Sequence, residues 1–301
     1  MPSQNATDTP RQLPELEEFE VELFHDCQLY LDTCAEFMTS DPFTTNVIGV
    51  VATGIAKSAR PKNDEDLFIA VRKQNEVVGM AMHTPPHNLF VSRMPTNPMA
   101  KLAHSLHEMR HQIPGVTGER TTVTAFAHVW TTLTGSKSKV LTAMRMYRLK
   151  KLHPPTDVAG SVRVADSNDI PLVRQWLTDF SAEATPHSPN DEVSKLTERR
   201  IKAGEIFLWI CDTEVVSLAG ISAAVCGVAR IGPVYTPLAH RGHGFGSGVT
   251  AAASRSALDL GARHVALYTD LSNPTSNAIY QNIGFVPDHD GQERVFEPAS
   301  K

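Results

Sequence analysis

The chain has 301 residues, 41% hydrophobic and 20% charged, with a formal net charge of −5. That is the composition of a soluble globular protein, and the length exceeds one ordinary core and predicts two domains. No basic stripe offers nucleic acid an electrostatic footprint, which excludes a polyanion binder and leaves small-molecule chemistry. Residues 1–15 are polar and contain proline, so they predict a disordered tail, without the apolar stretch of a signal peptide. The longest apolar runs, such as VIGVVATGIA at 47–56, fall short of a membrane span. Cys27, Cys34, Cys211 and Cys226 lack CxxC spacing and read as buried thiols in a reducing compartment, so a cytoplasmic location is expected.

In chain order, periodicity predicts helices over 17–38 and 42–58. Asp41 and Pro42 supply an N-cap and a first-turn proline for the second, whose Phe43, Val47, Ile48, Val51 and Ile55 share a core-facing side. LFIAVRKQNEVVGMAM at 67–82 reads as a β-hairpin. In the segment that follows, His104, His107 and His111 stand at spacing i, i+3, i+7, opposite Leu102, Leu106 and Met109. No carboxylate or thiol completes a ligand set, so they are expected to be solvated rather than metal-binding. Pro154 and Pro155, in HPPTDVAG, mark the linker.

The second half repeats the order. Helices are predicted over 168–184 and 190–203, the first capped by Asp166 and Asn168 with Ile170, Val173, Trp176 and Leu177 on its apolar side. IFLWICDTEVVSLAG at 206–220 is again a hairpin whose second strand opens on Glu-Val-Val. Two helices and a hairpin, twice over, are a tandem duplication of one α/β unit, with domains at 16–153 and 160–298.

Only the second half continues into HRGHGFGSG at 240–248, a glycine cradle running straight into a helix. Glycines let the backbone approach a ligand, and the helix aims unpaired N–H groups and the positive end of its dipole at the same point, which suits a phosphate. A P-loop is excluded because no lysine follows the glycines. Gly246–Ala251 matches G-x-G-x-x-A with Asp270 downstream, but Pro237–His240 separate that turn from its strand and too few residues follow for a dinucleotide fold. Val249, Ala253, Ser256 and Leu260 share one helical side before Gly261, a C-terminal cap. Asn273 and Pro274 open a short helix that carries Tyr280 and closes at Gly284.

Arg241-Gly242-His243-Gly244-Phe245-Gly246 and the Asn273…Tyr280…Gly284-Phe285 segment together resemble the GNAT superfamily of N-acetyltransferases, over about 160–298. The resemblance implies an α/β fold of two tandem GNAT-like domains, each a twisted mixed sheet flanked by helices. The first copy is degenerate because it lacks the loop. It implies acetyl-CoA or another short acyl-CoA as co-substrate, without a metal, and transfer of the acyl group to an amine of a small molecule or peptide. The implied cofactor-binding set is Val234, Tyr235, Thr236, Arg241, Gly242, His243, Gly244, Phe245, Gly246, Ser247, Gly248, Asn273 and Asn277. Tyr280 would be the catalytic acid that protonates the departing thiolate, and a backbone N–H within Gly232–Thr236 would hold the oxyanion. Many relatives place a glutamate base on the strand before the loop, but Val228-Ala229-Arg230-Ile231 has no carboxylate. Glu183, Asp179, His187 or a relayed water are the alternatives for the base. The missing carboxylate also leaves open a non-catalytic acyl-CoA sensor, and the G-x-G-x-x-A match an NAD-binding protein.

Overall fold

The computed structural model describes residues 16–184 and 193–298, so the tail expected at 1–15 and His187 lie outside the described residues. The first strand among the described residues, β1 (Phe19–Phe24), stands where a helix was expected. FEVELF alternates apolar and acidic residues, and this period of two lets the whole segment pair with β2. Asp26 caps α1 (Cys27–Thr33), and α2 (Ala35–Ser40) follows. α3 (Asn46–Ala56) begins later than Asp41 and Pro42 suggest, because the Asp41 carboxylate accepts from the Thr44 N–H and hydroxyl and closes the preceding turn. The buried side of α3 is Asn46, Ile48, Gly49 and Ala52, while Phe43, Val47, Val51 and Ile55 are only half-buried. That rotation is set by the second half: Asn46 donates to the Val228 carbonyl at 3.0 Å, and a side chain at Gly49 would meet Met38 and Val225.

The two hairpins are β2 (Leu67–Lys73) with β3 (Glu76–His83), and, in the second half, Ile206–Cys211 with Glu214–Ile221. Both turns have two residues, and Gln74, Asp212 and Thr213 take the positive φ that such turns demand. Both carry a bulge at the same place, since the second valine of each Glu-Val-Val, Val78 and Val216, is skipped in the pairing. The duplication extends to this irregularity.

The first half continues with β4 (Leu89–Val91), α4 (Thr96–Glu108), β5 (Gly115–Glu119), α5 (Arg120–Thr134) and β6 (Lys137–Leu149). The second half comprises β7 (Ser161–Val164), α6 (Ile170–Ala184), α7 (Val193–Lys202), the hairpin strands β8 and β9, β10 (Val228–Tyr235), α8 (Phe245–Asp259), β11 (His264–Asp270), α9 (Pro274–Asn282) and β12 (Phe285–Glu297). Val173, Trp176 and Leu177 are buried as expected, with Ile170 packed beside them, and Asp166 forms a capping box with Asp169. The α8 reading needs correction at its end: Leu260 is 75% exposed, whereas Gly248, Val249, Ala253 and Ala257 are buried. The helix stops one residue earlier, and Gly261 at positive φ lets Ala262 bond back to Ala257.

The twelve strands form one sheet in the order β1-β2-β3-β4-β5-β12-β6-β11-β10-β9-β8-β7. The halves are therefore interlocked, because the last strand of each inserts into the sheet of the other. β12 lies between β5 and β6, and β6 lies between β12 and β11, all antiparallel. Tyr147 on β6 is fully buried among second-half residues, donates to Asn277 Oδ1 at 2.9 Å and accepts from Gln281 Nε2 at 3.0 Å. Among the described residues no helix is long and apolar enough to cross a membrane.

A chain ending after residue 153 would leave β5 and β6 each without the neighbour that separates them. Such a fragment is expected to be insoluble alone and recovered when co-expressed with 154–301; folded, monomeric 16–153 by size exclusion and circular dichroism would contradict the exchange.

Candidate active site

β10 and β11 are parallel neighbours only from Val228 to Arg230, opposite His264 to Ala266. Beyond that point β10 breaks step with β9 between Ile231 and Val234, around a cis Gly232–Pro233 bond, and the two parallel strands separate. A gap thus opens between Gly232–Tyr235 and Leu267–Asp270. Within the bulge Pro233 has no N–H, so only Gly232 and Val234 carry amides that could meet an anionic oxygen. The Gly232 carbonyl is held from below by Arg200, a nearly buried guanidinium on α7 that donates at 2.8 Å and also reaches the Ile221 carbonyl at 3.2 Å. Burial pulls Arg200 down to about 10, and Glu205 at 3.5 Å opposes that pull. Sequence reading missed this residue, whose only trace is a basic side chain within the helix predicted over 190–203.

The cradle stands at the end of β10, where Gly244, with φ of 79°, forms the N-cap of α8 without any side-chain capping bond. The first turn of α8 therefore presents Phe245, Gly246 and Ser247 amides with no capping acceptor. The glycines are not equivalent. Gly242 has φ of 88° and open space where a Cβ would stand. Gly244 combines its positive φ with a Cβ position 2.8 Å from Val158, and a Cβ on Gly248 would lie 3.0 Å from the Trp209 ring. Trp209 in turn donates to the Ala159 carbonyl at 2.9 Å, so the segment after Pro154–Pro155 braces the cradle. Gly244 and Gly248 are thus constrained by packing, whereas the space at Gly242 is open.

Several of the expected cofactor contacts have side chains engaged elsewhere. Arg241 turns away from the helix end, donating to Glu183 at 2.6 Å and to the Thr236 carbonyl at 2.8 Å. Tyr235 is buried against Trp176 with its hydroxyl on Glu183 at 3.2 Å, and Thr236 bonds Ser217 at 2.8 Å. The Phe245 ring is buried and His243 stacks on it, which leaves His243 exposed beside Gly242. Val234 packs at the edge of the cluster that holds Tyr280. Asn273 caps α9 through Ser276 N–H at 3.0 Å, as its place before Pro274 predicts. Asn277 accepts from Tyr147 and donates to the Asp270 and Asn273 carbonyls, so its amide is committed to the fold. Of the base candidates, Glu183 is tied to Arg241 and Tyr235, and Asp179 accepts from Gln175 at 2.8 Å.

Tyr280 lies on α9 in one buried cluster with Ile231 and Val249, 9% exposed. Burial pushes its phenol up to about 12, so it stays protonated at neutral pH, as a proton donor must. His107 on α4 is exposed as expected, edge-on to Trp130, whereas His111 lies beyond the helix and bonds His83 at 2.7 Å. Burial lowers His83 to about 4, which keeps it neutral, and among the described residues no group of three or more His, Cys, Asp or Glu is placed to hold a metal ion.

Residues 170–285 match the acetyltransferase (GNAT) family, a span that holds the gap, the cradle and Tyr280. The second half is a GNAT-family domain. An N-acetyltransferase from Sphaerobacter thermophilus superposes over 95% of this chain and 97% of its own, with a TM-score of 0.62 and 14% identity. A GNAT-family acetyltransferase from Colwellia psychrerythraea covers 92% and 99%, at 0.57 and 12%. A tandem GNAT protein from the clavulanic acid biosynthesis pathway covers 94% and 99%, at 0.54 and 14%. At these identities the likeness is one of fold, and it gives the whole chain a tandem GNAT architecture. No curated protein matches the sequence. The GNAT family uses acetyl-CoA generally. The first half has no counterpart of the cradle: β4 passes through Ser92–Pro95 into α4 without a glycine.

Gly244→Ala is expected to lower stability without any ligand, by about 1–3 kcal/mol for strain and overlap, whereas Gly242→Ala meets no neighbour and loses only the left-handed preference. Urea unfolding of both variants checks this; a Gly244→Ala midpoint equal to wild type would refute the packing role.

Proposed function

We propose that residues 160–298 transfer an acetyl or other short acyl group from its CoA thioester to an amine of a small molecule or peptide. Residues 16–153 would supply β6 and shape the acceptor side. The observation that carries this reading is the combination, within a GNAT-family domain, of an uncapped α8 N-terminus behind Gly242 and Gly244 with a gap between β10 and β11. The α8 amides would donate to the CoA diphosphate, since anions at a helix N-terminus satisfy its free N–H groups and meet the positive end of its dipole. The thioester would then lie in the gap, with its carbonyl oxygen toward the bulge amides. As the amine adds, negative charge develops on that oxygen, and preoriented N–H groups stabilise it without reorganising. Arg200 keeps the Gly232 carbonyl turned away from that charge. On collapse the C–N bond is complete, the C–S bond breaks, and Tyr280 gives its proton to the thiolate. Net acidity is compatible with a cationic amine.

Calorimetric titration with CoA is expected to give saturable heat that is strongly weakened by Gly242→Val, a side chain directed into the proposed diphosphate position. Absence of heat or thermal protection with wild type would overturn the assignment. Tyr280→Phe is expected to lower kcat by about 10²–10⁴-fold with little change in the KM for acetyl-CoA; unchanged turnover at saturation removes Tyr280 from the acid role. Binding without thiol release across a broad amine panel would favour the sensor.

A further inference from the structure

The reading above leaves the amine without a group to take its proton, and β10 carries Arg230 where a carboxylate would serve. Along β10, Ala229 and Ile231 belong to the cluster containing Tyr280, whereas Val228 belongs to one with Met146, Ala266, Tyr268 and Phe43. The side chains of Arg230 and Tyr268 therefore lie on the face of the sheet opposite Tyr280. Tyr268 stands two residues past Ala266, and Gly232 two residues past Ala266's partner Arg230, so Tyr268 borders the gap at the level of the bulge. Across β6, Met146 pairs with Tyr268 on one side and with His289 of the inserted β12 on the other. Tyr268 and His289 meet over it, with the hydroxyl 3.3 Å from Nε2, and His289 Nδ1 is 2.8 Å from the Asp288 carboxylate.

The bonding fixes the direction of this chain. A carboxylate only accepts, so Nδ1 of His289 carries the proton and Nε2 offers its lone pair to the Tyr268 hydroxyl. The bond to His289 holds Asp288 below the usual carboxylate range, so Asp288 is anionic at neutral pH. Burial holds the Tyr268 phenol well above its ordinary range, so it remains a donor. His289 has only 5% of its side chain exposed, whereas Tyr268 is half-buried. The charged groups around the chain come from every neighbouring element: Arg230 on β10, Arg148 on β6, Asp41 from the turn before α3, and Arg93 from the segment after β4.

We propose that Tyr268, His289 and Asp288 form the proton-accepting relay for the acceptor amine, approached from the face of the sheet opposite Tyr280. This rests on the acyl-transfer reading of the preceding subsection. The amine, arriving as an ammonium ion, gives a proton to the Tyr268 oxygen while the phenolic proton passes to His289 Nε2. The imidazolium is stabilised by Asp288 and later loses its proton to water. The neutral amine nitrogen then forms the C–N bond with the acyl carbon; as the C–S bond breaks the thiolate takes the Tyr280 proton, and the nitrogen sheds its second proton to water while water reprotonates Tyr280, giving amide, free CoA thiol and, overall, one released proton. Tyr268 is the catalytic residue because it touches the amine; His289 and Asp288 act through it. Two halves of the chain build the relay, since Met146 on β6 seats both rings and β12 is held in place by β5 and β6.

The test uses full-length protein, acetyl-CoA and a panel of primary amines including lysine, tyramine and spermidine, read by thiol release as a function of pH. With the best acceptor, Tyr268→Phe and His289→Gln are expected to reduce kcat at neutral pH by about 10²–10⁴-fold, with CoA binding by calorimetry unchanged. Their residual rate should climb with pH as the free amine appears, so that the kcat profile moves to more alkaline pH, and Asp288→Asn should share that displacement. A merely structural role would lower rate at all pH values without moving the profile. An unmoved profile, or wild-type turnover in His289→Gln, overturns the relay. If wild type binds CoA and releases no thiol with any amine, the relay fails while the cradle stands; if CoA does not bind, the acyl-transfer reading itself fails.

Discussion

The pairing of β6 with β12 is the constraint from which the remaining arrangement follows. Each is a 13-residue strand from the end of one half, and they run antiparallel along nearly their whole length. Each also separates the other from the rest of its own half. Neither half can close its sheet without the other, so the two cores fold as one continuous structure. The charges along this seam are matched: Asp290 of β12 bonds Arg145 of β6 at 2.7 Å and lies 3.2 Å from Arg120, and its carboxyl is held below its ordinary range mainly by Arg145. Half-buried pairs of this kind add modest stability but penalise any other register, because a slipped strand would leave one charge unpartnered.

The seam explains why a half without a cradle is retained in the architecture. The second half borrows β6, and with it Tyr147, whose buried hydroxyl orders Asn277 and Gln281 on the helix that carries Tyr280. It also borrows the start of α3, where Asn46 donates to the Val228 carbonyl and accepts from Arg230 at 3.2 Å. The first half thereby fixes β10 and α9.

Around the cradle the protein divides its glycines between two demands. Gly244 and Gly248 let the linker and Trp209 pack against α8, and Gly242 leaves space open. A rigid brace behind a loop that faces solvent places backbone amides accurately, and accuracy is what electrostatic stabilisation of a developing charge needs. Arg200 performs the same service behind the bulge, at the cost of burying a guanidinium that Glu205 only partly compensates.

Local signals in the sequence determined what depends on near neighbours: the duplicated hairpins, the Asp166 and Asn273 caps, the αL glycine after α8, and the glycine cradle leading into a helix. Each is set by backbone geometry within a few residues, so the residue types suffice to show it. β1 was hidden because FEVELF satisfies a period of two and a helical reading alike, and only β2 beside it decides. The buried side of α3 was misplaced because its partner, β10, lies some 180 residues away in sequence. The strand exchange left no local trace, since a strand's pattern does not name its neighbours. For the same reason Arg200 at the bulge and Tyr268 beside His289 could not be read from the chain: only the sheet order sets β11 beside β10 and, across β6, within reach of β12.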